Sequence, residues 1–317
     1  MSVVHPQPAI IRPPRLRPGD RVAVCAPAGP VSEAKIRAGL EVLRARYRVE
    51  VAPDLCARRG YLSGSDDERA ESINRYLRDP DIRALFVARG GYGLLRILDR
   101  LDAPALARDP IPLVGFSDVT ALLAWAAGRA GVGGVHGPVV SQLGHLADGD
   151  VAWLFRLLED PRPPGELAWP LERVGRPFDD EVRGRLVGGN LCLLSHLAGT
   201  PHQVDARGAV MFIEEVGERP YRIDRYLTHL SLAGALTGAR AVVAGEFFGC
   251  EEGADDGAAS DVPAAGEVVD ERLRALSLPG LAGAPFGHGR HNAALPYAAA
   301  CALSPEGRLA LAESGVT

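Results

Sequence analysis

Lysine is nearly missing from this chain: Lys35 is the only one among 35 basic residues, and the rest are arginine. It follows the Pro27-Ala28-Gly29-Pro30 turn and lacks the G-x-x-x-x-G-K-[ST] spacing of a phosphate loop. Unless Lys35 itself acts, Ser-Lys dyads, Schiff-base chemistry and Walker-type NTPases are excluded. Cysteine is scarce too. Cys25, Cys56, Cys192, Cys250 and Cys301 form an odd set without a C-x-x-C pair, so neither a disulfide framework nor a zinc knuckle is expected. Most of them read as small buried hydrophobes. Basic blocks are absent and the net charge is -5, which leaves no electrostatic footprint for nucleic acid. No apolar run reaches membrane-spanning length, and even residues 121–135 are cut by Arg129. The first twenty residues contain Pro6, Pro8, Pro13, Pro14 and Pro18 and no apolar h-region, so a secretory signal is not expected and a cytoplasmic location is.

What remains is ample for a fold. The chain has 317 residues, 47% of them hydrophobic, enough for one large core or two domains, and two is the reading taken. The first half alternates strand and helix patterns. Residues 21–26 read as a buried strand, and the helix after the Pro-Ala-Gly-Pro turn shows apolar spacing at Ile36, Leu40 and Leu43. Residues 48–52, 84–88 and 113–116 read as further strands, and Ser65-Asp66-Asp67-Glu68 as a capping box opening a helix to Arg78. This βαβα order predicts a parallel sheet with helices on both faces, whose ligands bind beyond the carboxyl ends of the strands.

Residues 146–180 hold a short helix and then Pro161, Pro163, Pro164, Pro170 and Pro177, the pattern of an interdomain crossover. The expected division is an N-terminal domain at 1–145, a linker at 146–180 and a smaller α/β domain at 181–317. In the second unit, a strand runs from Val182 to Val187, and Gly188-Gly189-Asn190 opens a helix. Strands are expected at 209–213 and 239–245, with a helix from about Tyr221. Residues 250–266 are acidic, rich in Ala and Gly, and read as a mobile loop. No internal repeat relates the halves.

Four clusters fall at strand ends. The most informative is Leu113-Val114-Gly115-Phe116-Ser117-Asp118-Val119-Thr120, where an apolar strand runs into a glycine, an aromatic, one serine and a helix start. A serine on such a turn is exposed beside unsatisfied helix N-H groups, the layout of a nucleophile elbow. The plainer reading is that Ser117 or Asp118 caps the helix 119–129. The other clusters are Arg89-Gly90-Gly91-Tyr92-Gly93, Glu214-Glu215-Val216-Gly217-Glu218, and Phe286-Gly287-His288-Gly289-Arg290-His291-Asn292. Acyl transfer by serine needs a base, an acid that orients it, and two N-H donors for the oxyanion, and each has a candidate here. His288 lies between two glycines and can approach another group unobstructed, which His291, His136 and His145 cannot. Its plainer reading is a solvated loop residue, and that of Glu214 is a strand end paired with Arg219 or Arg222.

Taken with Leu16-Arg17-Pro18-Gly19-Asp20 and Gly188-Gly189-Asn190-Leu191, these motifs resemble the LD-carboxypeptidase family of serine peptidases over residues 16–311. That family includes muramoyl-tetrapeptide carboxypeptidases and microcin C immunity peptidases. The resemblance implies a Ser-Glu-His triad of Ser117, Glu214 and His288, with oxyanion donors at the backbone N-H groups of Gly91 and Asp118. It also implies a Rossmann-like first domain, an active site in the interdomain cleft, and no metal or cofactor. The implied substrate is a small peptide or muropeptide losing a terminal D-amino acid. A peptidyl-adenylate is the alternative, and a homodimer is an allowed assembly. Val119 stands where the α/β-hydrolase G-x-S-x-G has its last glycine, so a separate lineage is expected. Arg89, Asn190 and Arg222 are the candidate substrate-binding residues, with Arg225 and Arg290 as further carboxylate partners.

Three other classes are weighed. A dinucleotide or amidotransferase-like site fails on spacing, because Arg89-Gly90-Gly91-Tyr92-Gly93 is not G-x-G-x-x-G. A metal hydrolase would have to use His288 and His291 at i, i+3 on a glycine-containing loop, without the helix of H-E-x-x-H. A non-enzymatic two-domain binding protein is disfavoured by the missing export signal. Among the tryptophans, Trp125 is expected in the core, while Trp153 and Trp169 could border the cleft.

Overall fold

The computed structural model describes residues 10–167, 169–252 and 262–317. Strand β1 (Arg21–Cys25) is followed by β2 (Arg48–Val51), β3 (Ile82–Val87), β4 (Leu113–Gly115) and β5 (Gly134–His136), all parallel. Alternation along β1 builds two cores. Val22 and Val24 face one cluster, Ala23 and Cys25 the other, as the two-residue period of a strand requires. With both faces covered, β1 is buried nearly throughout, the mark of a parallel sheet. The helix Asp66–Arg78 carries the capping box expected of Ser65 and Glu68.

The crossover is more structured than its prolines suggest. The helix Asp148–Glu159 buries Leu154, Leu157 and Leu158 beside Leu16, Val22 and Val24, on the outer face of the first sheet. Strands β6 (Gly165–Glu166) and β7 (Glu172–Gly175) then join opposite edges of the second sheet. Residues 146–180 are therefore built into both units. Proline tolerates such edge positions because no ladder N-H is needed there.

The second sheet continues with β8 (Val182–Asn190), β9 (Ala209–Val216), β10 (Ala241–Phe248) and β11 (Pro279–Ala282). β13 (Ala300–Ser304) and β14 (Arg308–Leu311) fill its order between β8 and β6. Its centre, β8-β9-β10-β11, is parallel, and its edges are antiparallel. Between them, β12 (Leu295–Tyr297) returns to the first sheet and pairs antiparallel with β5. The chain thus crosses between the units three times, and one apolar cluster containing Trp125, Phe212, Phe286 and Tyr297 runs through both. Of the loop expected at 250–266, residues 253–261 lie outside the described residues, and Ala265 already begins the helix Ala265–Ala275.

Candidate active site

Ser117 follows the carboxyl end of β4 with φ 64, in the left-handed region that only three non-glycine residues among those described occupy. That conformation costs a β-carbon-bearing residue on the order of 1 kcal/mol and is kept where a turn must present a side chain. The neighbours make room for it. A Cβ on Gly90 would lie 2.9 Å from Ser117 Cβ and 3.1 Å from its Oγ, and one on Gly115 would lie 2.9 Å from the Val119 methyls. The helix expected at 119–129 begins as a 3-10 turn, Ser117–Val119, and ends as a π-helical turn, Ala126–Ala130.

The carboxylate of Asp118 turns inward. It is 1% exposed, and Oδ2 accepts from Leu94 N at 2.9 Å. Burial raises its pKa, against the pull of the Leu94 and Gly93 N-H groups. This bond ties the Gly91-Tyr92-Gly93 loop to the serine turn. Gly91 has φ 110, and Gly29 N donates to Gly90 O at 3.1 Å, so the backbone around both oxyanion candidates is fixed.

The candidate acid and base come from the second unit. Glu214 is fully buried on β9, and its Oε2 lies 2.7 Å from His288 Nδ1. The Phe116 ring lies 4.6 Å from the His288 ring, which sets that imidazole beside the serine turn. No hydrogen bond joins Ser117 Oγ to His288 among the described residues; unliganded sites often close this contact only on substrate binding. The other face of β9 presents Glu215. It accepts from Asn190 Nδ2 and Cys192 N, both at 2.8 Å, and from Val216 N at 2.9 Å. Burial pushes its carboxyl up to about 7 against those donors, with Glu214 adding to the rise.

The candidate binding residues fall in different surroundings. Asn190 is 3% exposed, and its side chain caps the helix Leu191–Leu197 through Leu193 N while bonding Glu215, so both of its polar atoms already have partners within the protein. Its backbone N-H donates to Thr120 Oγ1 at 3.0 Å, which locks β8 to the helix after Ser117. Arg222 pairs with Glu218 at 3.1 Å on the helix Pro220–Leu232. Arg225 lies over the Tyr221 ring. Arg89 donates to Pro30 O at 2.8 Å beside Gly29, and Arg290 is exposed on the base-bearing loop. His291 Nδ1 faces Asp150 Oδ2 at 3.2 Å, so the two loop histidines are taken by different carboxylates. Trp125 is buried, Trp153 Nε1 donates to Ala294 O at 2.8 Å, and the exposed Trp169 lies 5.0 Å from the His291 ring.

Sequence reasoning missed three features. Tyr92, next to Gly91, is exposed and packs edge-on against the exposed Tyr61 at 5.7 Å, making an aromatic rim on the serine side. Glu246 lies under the His288 loop. His136 is fully buried among Phe116, Phe212 and Phe286, without a hydrogen bond on either ring nitrogen. Burial, and then repulsion from His288, lowers its pKa to about 3. Unfolded, the same imidazole takes a proton near pH 6.5. Between these values the unfolded chain binds the extra proton, so this group's contribution to stability falls as pH drops from 6.5 towards 3. His136→Phe should remove that dependence. Denaturant titrations at pH 6.5 and 4.5 should show wild type losing on the order of 2 kcal/mol more than the variant, and equal losses would refute the neutral assignment.

A fully buried carboxylate on an imidazole, beside a serine held at positive φ, is an arrangement suited to hydrolysis of the serine type. Residues 22–137 match the LD-carboxypeptidase N-terminal domain, and residues 183–303 the LD-carboxypeptidase C-terminal domain. A probable murein peptide carboxypeptidase of Bacillus subtilis is 32% identical, covering 96% of this chain and 95% of its own. The chain belongs to the LD-carboxypeptidase family and is a serine-type carboxypeptidase. The solved muramoyltetrapeptide carboxypeptidase of Oxalobacter formigenes superposes with a TM-score of 0.77 at 28% identity, covering 92% of this chain and 97% of that one. The microcin C7 self immunity protein MccF, solved with aspartyl sulfamoyl adenosine, gives 0.85 at 22% identity, with 97% and 100% covered, and shares the fold. Among the described residues, no helix is long and apolar enough to cross a membrane.

Proposed function

We propose that this chain removes the terminal D-alanine of a murein tetrapeptide in the cytoplasm, with Ser117 as nucleophile, His288 as general base and Glu214 as the acid that orients it. The observation that carries the reading is the 2.7 Å contact of His288 Nδ1 with a fully buried Glu214, beside the strained turn at Ser117. Glu214 holds the Nδ1 proton, leaving Nε2 free to take the hydroxyl proton. Ser117 Oγ attacks the carbonyl, and the N-H groups of Gly91 and Asp118 receive the oxyanion. His288 returns its proton to the departing amine, and water, activated by the same nitrogen, hydrolyses the acyl-enzyme. The proposed division is a nucleophile-bearing unit at 1–145 and an acid- and base-bearing unit at 181–317, with the site in the cleft between them; a homodimer belongs to the same reading. Arg89 and Arg290 are better placed than Arg222 to meet a substrate carboxylate, since Arg222 is already paired.

One observation favours a second reading. The exposed rings of Tyr61, Tyr92 and Trp169 each offer an aromatic face of the kind a nucleobase stacks on, more than the tryptophans alone suggested. Incubating the protein with a murein tetrapeptide and with a peptidyl-adenylate, and weighing the products, separates the two. Release of D-alanine supports the first. An inert tetrapeptide beside a cleaved peptidyl-adenylate replaces it with the second.

A further inference from the structure

Glu246 lies two residues before the end of β10, one strand away from Glu214, and the ladder there is irregular. Ala244 pairs with Ile213 and Phe247 with Glu215, so β10 spends three steps where β9 spends two. Such a bulge bends the strand and re-aims a side chain. Here it turns Glu246 towards the loop that carries His288. Glu246 N donates to Phe286 O at 2.8 Å, and a Cβ on Gly245 would lie 2.4 Å from the Phe286 ring. Further along the loop, a Cβ on Gly287 would lie 3.3 Å from both Glu214 Oε2 and Glu246 Cβ, so the two acids flank one residue. A Cβ on Gly289 would lie 1.7 Å from Glu246 Oε2. The carboxylate also faces the backbone N-H groups of Gly289 and His291, whose pull opposes the rise in pKa that burial causes. Oε2 itself is buried and accepts no hydrogen bond, an arrangement that costs stability and calls for a return elsewhere.

We propose that Glu246 is a positioning residue for the general base, its carboxylate propping the 286–291 loop from below so that His288 Nδ1 meets Glu214. Glycine is required at 289 because the prop occupies the space of a side chain. The inference rests on the serine mechanism above, and the experiment separates the two.

In the full-length protein, Glu246→Ala should lower kcat about 30-fold, the scale of a base displaced by a fraction of an ångström, and leave KM within about threefold. Glu246→Gln, which keeps an acceptor oxygen and the shape, should recover most of the loss. Gly289→Ala should resemble Glu246→Ala, yet the double variant should be no worse than either, because the added methyl then fills the space the carboxylate left. If Glu246→Ala does not fold, Gly289→Ala and Glu246→Gln carry the comparison. The low-field proton resonance of the His288–Glu214 hydrogen bond, identified by its loss in Glu214→Gln, should move upfield in Glu246→Ala; this reading needs no substrate. Wild-type kcat in Glu246→Ala, a loss confined to KM, additive effects in the double variant, or an unmoved resonance would each overturn the proposal. An active Ser117→Ala would instead overturn the serine mechanism and leave the resonance as the measure of the loop.

Discussion

Replacing Ser117 by alanine should lower turnover by at least about a thousandfold, since loss of a triad nucleophile leaves only binding and the oxyanion donors. The fold should survive. Alanine and serine meet the same steric cost at φ 64, and the serine hydroxyl makes no hydrogen bond in the described structure that alanine would forfeit. Glycine at the same position should also be inactive, yet more stable than wild type by about 1 kcal/mol, because it occupies the left-handed region without penalty. Product release followed by mass, with thermal denaturation of the three proteins, tests both halves. Activity of Ser117→Ala within about tenfold of wild type would remove the serine from the mechanism. A glycine variant less stable than wild type would show that the turn stores no strain.

The tight turn at Ser117 was legible because its signals are local. Gly115 makes room for Val119, a buried strand ends before Ser117, and Gly90-Gly91 supplies a backbone without side chains beside it. Strands β1 to β4 were legible for a similar reason, as short runs bounded by glycine, proline or a cap, whereas β5, only three residues long, was not. Other features depend on distant parts of the chain. The strand expected to end at Val187 runs on through Gly188 and Gly189, because both pair with β9, and only then does Asn190 open the expected helix. Strand β9 extends past Ile213 because its polar end, Glu214-Glu215, finds buried partners on both faces. The prolines of 161–177 hide two edge strands, and β12 reaches back to β5 across more than 150 residues of chain. None of these contacts leaves a periodic trace in the sequence. Glu246 was equally hidden, since its place under the base depends on a bulge that only pairing with β9 creates.

The second large effect concerns which of two adjacent acids serves the base. Glu214→Gln should lower kcat by about a thousandfold or more, because an amide on Nδ1 no longer favours the tautomer that leaves Nε2 free, nor does it stabilise the imidazolium. Glu215→Gln should cost no more than about tenfold. The extended backbone of β9 sends the two side chains to opposite faces, and the structure shows what each meets: His288 on one side, and Asn190, Cys192 N and Val216 N on the other. Glu215 thus braces the start of the helix Leu191–Leu197 and, through Asn190, the junction with Thr120. Its replacement should appear first in the melting temperature. Steady-state kinetics and thermal denaturation of the pair decide the matter: a kinetic loss concentrated in Glu215→Gln, with Glu214→Gln near wild type, would move the orienting acid by one residue and require His288 to turn away from the face on which it now rests.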